Sequence, residues 1–386
     1  MTKAKQNKFF VGFVVLALCL ACVILGVGSG YEFSAQAFAD GLFSSAKSAV
    51  VLETSSNRKL FALNENQKLP MASTTKILTA ITAIENCQDL DEKFEISKKA
   101  VGIPGTSLYL REGDIYSTRD LLYALMLISG NDCSVAIAEH ISGSTSEFVT
   151  LMNETAKKIG AKNSHFANTH GLDADGHYTT AYDLAKITAY ALENPVFKEI
   201  VSTKNTRIEN GIGEYRYLKN KNKLLSTLEG CVGVKTGYTD DAGRCLVSAI
   251  EKDGMTIVCV VLNCRPMFEE SATLLKECSE SYKLYDLTEF YEFDKFVSVE
   301  NGRDSVAQIG TEESFVYPLT QDEVKKLRFE YSYPQSIEAP LDRGVAIGKV
   351  EIFLDNDLLF SEKIFTIEEI KTKSLLQRMK EFVSNW

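Results

Sequence analysis

Hydrophobic and polar positions follow two different periods along this 386-residue chain. Ser48–Glu53 and Leu60–Leu63 are short apolar runs flanking the polar stretch Thr54-Ser55-Ser56-Asn57-Arg58, which predicts a β-hairpin. Ile77, Ala80, Ile81 and Ile84 then recur at i, i+3, i+4 and i+7, the spacing of a buried helix face. Ser117 and Asp120 form a capping box that opens a second apolar helix, Leu121–Ile128. Helical patterns also cover Asp132–Ile141, Ser146–Ile159 and Thr180–Glu193. From Val232 the period shortens. Val232–Lys235, Cys245–Ile250 and Thr256–Leu262 read as strands of an antiparallel meander, separated by Tyr238–Arg244 and Lys252-Asp253-Gly254. Glu270–Phe290 returns to helical spacing. Strands, a block of helices, more strands and a final helix predict an α+β fold, with helices packed on an antiparallel sheet.

From about Phe293 to Phe365 the pattern is strand-like. Leu327, Phe329, Tyr331 and Tyr333 alternate with polar residues, as do Val350, Ile352 and Leu354, and Asn301-Gly302 and Arg343-Gly344 mark turns. This predicts a small separate β domain. The tail, Thr366–Trp386, places Leu375, Met379, Phe382, Val383 and Trp386 on one helical stripe beside Lys371, Lys373, Arg378 and Lys380. A basic amphipathic helix of this kind suits a membrane interface, the alternative being a helix packed on the β domain.

At the other end, Lys3, Lys5 and Lys8 precede an uncharged apolar run from Phe9 to Val27, followed by Ala35-Gln36-Ala37 and Ala37-Phe38-Ala39. A positive flank, an apolar core and a small-residue exit are the parts of a secretory signal peptide, with cleavage expected after Ala39. A retained membrane anchor is the alternative, since the run is just long enough to span a bilayer. Either way the remainder is exported across the cytoplasmic membrane. The expected organisation is a signal peptide over 1–39, a catalytic domain over 40–290, a β domain over 291–366 and an amphipathic helix over 367–386.

Composition narrows the chemistry. With 42 Lys and Arg against 52 Asp and Glu, the net charge of −10 excludes nucleic acid as a principal partner. Of nine cysteines, Cys19 and Cys22 lie in the apolar run. The seven left are an odd number with no CxxC pair among them, which speaks against a disulfide framework or a zinc ribbon.

Three short motifs carry the candidate chemistry. Ser73-Thr74-Thr75-Lys76 opens the apolar-faced helix, so Lys76 lies one turn from the Ser73 hydroxyl. A lysine whose pKa is lowered by burial and by the helix N-terminus can deprotonate that hydroxyl. The same SxxK spacing at Ser44–Lys47 and Ser56–Lys59 lacks the helical context. Ser129-Gly130-Asn131 falls between two helices, where it can project a hydroxyl and an amide into a cleft. Lys235-Thr236-Gly237 is expected at a strand end, with donors for a carboxylate and a glycine that lets a ligand backbone approach. Singly, each reads as a cap, a turn or a surface strand. His165, His170 and His177 lack any metal-ligand spacing, and Asp173, Asp175 and Gly176 form only part of a calcium loop.

Taken in this order, the three motifs are the set found in penicillin-binding proteins and serine β-lactamases. With Pro70-Met71-Ala72, Asn168-Thr169-His170-Gly171-Leu172, Gly176–Asp183 and Gly233–Thr239 around them, the chain resembles the low-molecular-weight penicillin-binding proteins, the serine-type D-alanyl-D-alanine carboxypeptidases. The resemblance implies a penicillin-binding-protein-like catalytic domain that removes the terminal D-alanine from peptidoglycan pentapeptides and is covalently inhibited by β-lactams. It implies Ser73 as nucleophile, Lys76 as general base and Ser129 as proton relay to the leaving amine. Asn131 would orient the substrate amide, and the backbone N–H groups of Ser73 and Tyr238 would hold the oxyanion. Lys235, Thr236 and Gly237 would form the carboxylate site, with help from Arg265. The tail would hold the protein to the outer face of the membrane. No cofactor and no metal is implied. The alternatives are a class A-like β-lactamase, for which a deacylating glutamate is missing between Asn131 and Lys235, and a non-catalytic wall-binding scaffold.

Overall fold

The computed structural model describes residues 44–384. The expected signal segment, with Cys19 and Cys22, lies outside the described residues, as does Trp386. The first hairpin forms as predicted, with β1 (Ser48–Glu53) paired to β2 (Lys59–Leu63). Two small hairpins follow later, β3 (Lys93–Glu95) with β4 (Ile115–Ser117) and β5 (Asn205–Glu209) with β6 (Tyr215–Lys219). Strands β7 (Cys231–Thr239), β8 (Gly243–Lys252) and β9 (Met255–Leu262) complete an antiparallel sheet of order β2-β1-β9-β8-β7.

Period-two alternation sends side chains to two cores. Val50, Leu52, Val247, Val258 and Val260 face a large helical layer, while Val51, Leu246, Ile257 and Val261 face the other side. The helical layer is α1 (Lys76–Asn86), α2 (Thr118–Leu127), α3 (Asn131–Ser142), α4 (Thr145–Ile159), α5 (Ala181–Glu193) and α6 (Pro195–Ser202). Their ends follow local chemistry. Ser117 and Asp120 cap α2 reciprocally, Ser144 caps α4, Thr180 caps α5, and Gly143 ends α3 in the left-handed conformation. The opposite face is covered by α8 (Met267–Ser281), which follows the short α7 (Leu224–Thr227) in chain order. Each fully buried Leu or Ile in these layers contributes about 1.5–3 kcal/mol.

Two element assignments change. The helix expected over Glu270–Phe290 ends at Ser281, and β10 (Lys283–Asp286) pairs instead with Val316–Leu319. Tyr282, Leu284 and Tyr285 favour a strand once partner backbone is within reach, and pairing overrides the helical spacing. The helix expected from residue 367 begins only at Leu375. Before it, Ile370 and Leu341 exchange backbone hydrogen bonds, and the Arg303 and Lys373 N–H groups bond the Lys371 and Asn301 carbonyls.

The C-terminal β structure is a six-stranded sheet built from residues 296–366. Its two longest strands, Ala346–Leu354 and Asp357–Thr366, form a hairpin that Leu327–Ser332 extends in register, Phe329 opposite Ile352. Arg58, in the β1–β2 turn, reaches this region. It pairs with Glu323 at 2.5 Å, bonds the Pro318 carbonyl and lies against the rings of Tyr282 and Tyr317.

Candidate active site

Ser73 sits in a 3₁₀ turn, Ala72–Thr75, that runs into α1. Ala72 takes a left-handed φ of 48°, costly for a residue with a Cβ, so the turn must be held by its surroundings. The hydroxyls of Thr74 and Thr75 donate to the Met71 and Ala72 carbonyls at 2.6 and 2.9 Å. His177 Nδ1 accepts from the Ala167 N–H at 2.9 Å, which leaves the proton on Nε2 to be donated to Thr75 Oγ1 at 2.8 Å. That histidine is buried and its pKa falls to about 4, first through burial and then through the neighbouring histidines and Lys76. It is therefore a neutral structural hinge-pin of the turn. Two glycines allow the close packing. A Cβ on Gly171 would lie 2.0 Å from the Ala72 carbonyl oxygen, and one on Gly237 would lie 3.0 Å from the Ser73 nitrogen. Ala72, Thr74 and Thr75 are buried, while Ser73 remains partly open to solvent.

Lys76 is fully buried, and its Nζ has three partners. They are Ser73 Oγ at 2.9 Å, Asn131 Oδ1 at 2.7 Å and the His170 carbonyl at 2.5 Å. Burial is the main cause holding its pKa well below 10.5, with the charge of Lys235 next. A neutral amine has two N–H donors and one lone pair. Asn131 Oδ1 and the His170 carbonyl can only accept, so they take both donors, and the lone pair is left for the Ser73 hydroxyl.

Asn131 begins α3. Its Nδ2 donates to the Pro104 carbonyl at 2.6 Å and its backbone N–H to the Thr106 carbonyl at 2.7 Å, leaving one amide hydrogen for a ligand. Ser129 is buried with a left-handed φ of 71°, and its hydroxyl bonds neither Lys76 nor Lys235 among the described residues. Sequence reasoning missed Asp132. This buried carboxylate accepts from Ser107 Oγ and from the N–H groups of Leu108, Leu110 and Cys133, at 2.5–3.0 Å, and so fixes the loop that touches Asn131. A signal existed in its position directly after the Ser129-Gly130-Asn131 run.

The third motif lies inside β7, not at its end, because the strand continues to Thr239 before turning. Lys235 is buried and donates to the Thr236 carbonyl at 2.9 Å. Burial, then the charge of Lys221, brings its pKa down to about 7. Thr236 is half-buried, and Gly237 permits the approach of the Ser73 turn itself. Tyr238 projects to solvent with its hydroxyl on Asp240 at 2.9 Å. Arg265 is exposed in the turn between β9 and α8, and no hydrogen bond ties it to the other site residues among the described residues. Thus Ser73, Lys76, Asn131 and Gly237 come together by direct contact, and Lys235 is electrostatically coupled to Lys76. No carboxylate accepts a hydrogen bond from Ser73, Lys76, Asn131 or Lys235 among the described residues.

The chain is similar to known proteins. A family profile described as D-alanyl-D-alanine carboxypeptidase matches residues 35–265, and one described as penicillin-binding protein 5, C-terminal domain, matches residues 285–372. The D-alanyl-D-alanine carboxypeptidase DacF of Bacillus subtilis (strain 168) is 29% identical over 349 residues, covering 88% of this chain and 90% of the relative. The D-alanyl-D-alanine carboxypeptidase of Streptomyces sp. (strain K15) is 36% identical over 206 residues, 49% of this chain and 71% of the relative. Among solved structures, penicillin binding protein 5 from Haemophilus influenzae superposes with a TM-score of 0.69 at 25% identity, covering 90% of this chain and 100% of that one. With the family profile spanning more than half its length, the chain belongs to the D-alanyl-D-alanine carboxypeptidases, serine peptidases of the penicillin-binding class.

Proposed function

We propose that this protein removes the terminal D-alanine from peptidoglycan stem peptides through an acyl-enzyme on Ser73. Members of the family bind such stem peptides and β-lactams, and act on the cell wall outside the cytoplasm. The observation that carries the reading is the buried Lys76 amine, whose lone pair is left for Ser73 Oγ among the described residues. In the proposed cycle Lys76 takes the Ser73 proton as the hydroxyl oxygen attacks the carbonyl of the D-Ala-D-Ala bond. The backbone N–H groups of Ser73 and Tyr238 hold the developing oxyanion. Ser129 passes a proton to the leaving D-alanine, Asn131 orients the substrate amide with its free N–H, and Thr236 and Lys235 bind the terminal carboxylate, with Arg265 at the rim. Water then cleaves the ester. Among the described residues no carboxylate is bonded to these groups, which favours this reading over a class A-like β-lactamase, an enzyme that needs a glutamate to activate the deacylating water. Release of D-alanine from a soluble pentapeptide by the wild type and its loss in Ser73→Ala test the assignment. A Ser73→Ala protein that still releases D-alanine would refute it.

We also propose the domain roles read from the sequence: an export signal over 1–39, and a tail that holds the protein at the outer membrane surface. Support for the tail comes from the exposure of Leu375, Leu376, Met379, Phe382 and Val383 on α10 (Leu375–Ser384), the helix that follows α9 (Gln321–Val324) in chain order. This stripe is not packed on the β structure. At ten residues α10 can lie in an interface but not cross it.

A further inference from the structure

The loop that leads into α5 meets the nucleophile's helix and turn at three successive residues. The Thr169 carbonyl accepts from Thr79 Oγ1 on α1 at 2.7 Å, and the His170 carbonyl accepts from Lys76 Nζ at 2.5 Å. Gly171, at a left-handed φ of 89°, packs against the Ala72 carbonyl. One side chain closes this loop on itself. Asn168 Oδ1 accepts from the N–H groups of His170 and Gly171 at 3.2 and 2.7 Å, and its Nδ2 donates to the Leu172 carbonyl at 2.9 Å. The Gly171 N–H and the His170 carbonyl belong to one trans peptide unit, so they point in opposite directions. Holding that N–H on Asn168 therefore turns the carbonyl of the same plane towards Lys76.

We propose that Asn168 is a positioning residue for the general base: it fixes the His170–Gly171 peptide plane and so holds one Lys76 N–H away from Ser73. The inference rests on the acyl-enzyme reading above and deepens it. With the His170 carbonyl in place, both donors of the neutral amine are engaged and its lone pair is left for the Ser73 hydroxyl. Once the plane is free to rotate, a released N–H can donate to Ser73 Oγ, and the lone pair then points elsewhere. The protonated amine also loses a charge-assisted bond, which is stronger than the same bond made by the neutral form, so the Lys76 pKa falls further. The other groups that act on Lys76 are Lys235 on β7, Asp132 and Cys133 on α3, and Lys221 after β6. His170 and His177 feel its charge, and their pKa values fall to about 4, first through burial, so both are neutral at pH 7. Asn168 does not titrate, and its effect on this cluster passes through the peptide plane.

The test follows acylation of Ser73 by penicillin across the acid limb and plateau of its pH–rate profile, in wild type, Asn168→Ala and Asn168→Asp. Asn168→Ala should slow the plateau about tenfold, part of the usual contribution of a general base, and should move the acid limb to lower pH. Asn168→Asp still accepts from both N–H groups, so it should keep most of the plateau rate. Its added negative charge favours the Lys76 ammonium and should move the limb the other way, to higher pH. A residue that merely stabilises the loop would change the yield of folded protein, or its denaturant midpoint, and leave the limb where it is. An Asn168→Ala protein with the wild-type plateau and an unmoved limb overturns the proposal. Where that variant does not fold, Asn168→Asp decides: a lost plateau with an unmoved limb overturns the positioning role. A wild type that penicillin does not acylate on Ser73 overturns this proposal together with the reading it rests on.

Discussion

Lys76 Nζ lies 2.9 Å from Ser73 Oγ while both of its possible N–H donations go to acceptors that cannot give a proton back, Asn131 Oδ1 and the His170 carbonyl. The direction of the proton between nucleophile and base is thereby set by geometry. Burial supplies the rest, because it favours the neutral amine that this arrangement requires.

The two motif lysines should therefore respond differently to arginine. Lys76→Arg keeps its charge at every working pH and cannot accept the Ser73 proton, so acylation by penicillin should fall by about 10²–10⁴-fold, the usual contribution of a general base. Lys235→Arg should retain part of the rate. It also fixes a positive charge near Lys76, which depresses the Lys76 pKa further and moves the acid limb to lower pH. Stopped-flow acylation rates between pH 5 and 9 (a range of about four units around the Lys235 value near 7) check both. A Lys76→Arg protein that acylates at the wild-type rate would place the base elsewhere.

Gly237→Ala should damage the nucleophile without touching it. The added Cβ meets the Ser73 nitrogen at 3.0 Å and the Met71 carbonyl at 3.1 Å, both backbone, so the Ser73 turn or β7 has to shift. Overpacking of this kind costs about 1–3 kcal/mol. Urea unfolding should show that loss, alongside a fall in acylation rate larger than that of surface substitutions on β7.

His177 predicts a specific acid sensitivity. Its folded pKa of about 4 lies below the ordinary 6.5, so the unfolded chain binds more protons between these values. Stability from this group is present above pH 6.5 and is lost progressively as pH falls towards 4. His177→Gln can still donate to Thr75 Oγ1 but does not titrate. Its unfolding free energy should decline less than the wild type's between pH 6.5 and 4.5, measured by denaturant titration. Equal declines would remove His177 from the acid response.

Deleting residues 375–386 should release the protein from anionic vesicles and leave hydrolysis of a soluble peptide intact. The cut belongs at Leu375, because Ile370, Lys371 and Lys373 are hydrogen-bonded into the β structure. Undiminished vesicle binding by the truncated protein would assign the exposed stripe another role.

Much of this fold was legible because its signals are local. The capping box of Ser117 and Asp120, the helical spacing from Ile77 and the short, turn-bounded apolar runs of β8 and β9 each arise within a few residues. What stayed hidden depends on distant partners. Lys283–Asp286 becomes a strand only because Val316–Leu319 lies alongside, and the hairpin of β5 and β6 has charged residues on positions that face solvent. The site divides the same way. Ser73, Lys76, Asn131 and Lys235 stand in short motifs, whereas the His170 carbonyl enters only when its loop closes on α1. Gly237 was legible as a close approach, but the approaching group is the nucleophile's own turn.

The central claim is that Ser73 alone forms a covalent and slowly hydrolysed acyl-enzyme. Mass spectrometry of protein treated with penicillin, digested and followed over time, measures both properties at once. The account predicts one adduct, on the peptide containing Ser73, that persists long after free penicillin is removed. An adduct on Ser44 or Ser56, or one on Ser73 that disappears as fast as it forms, would contradict it.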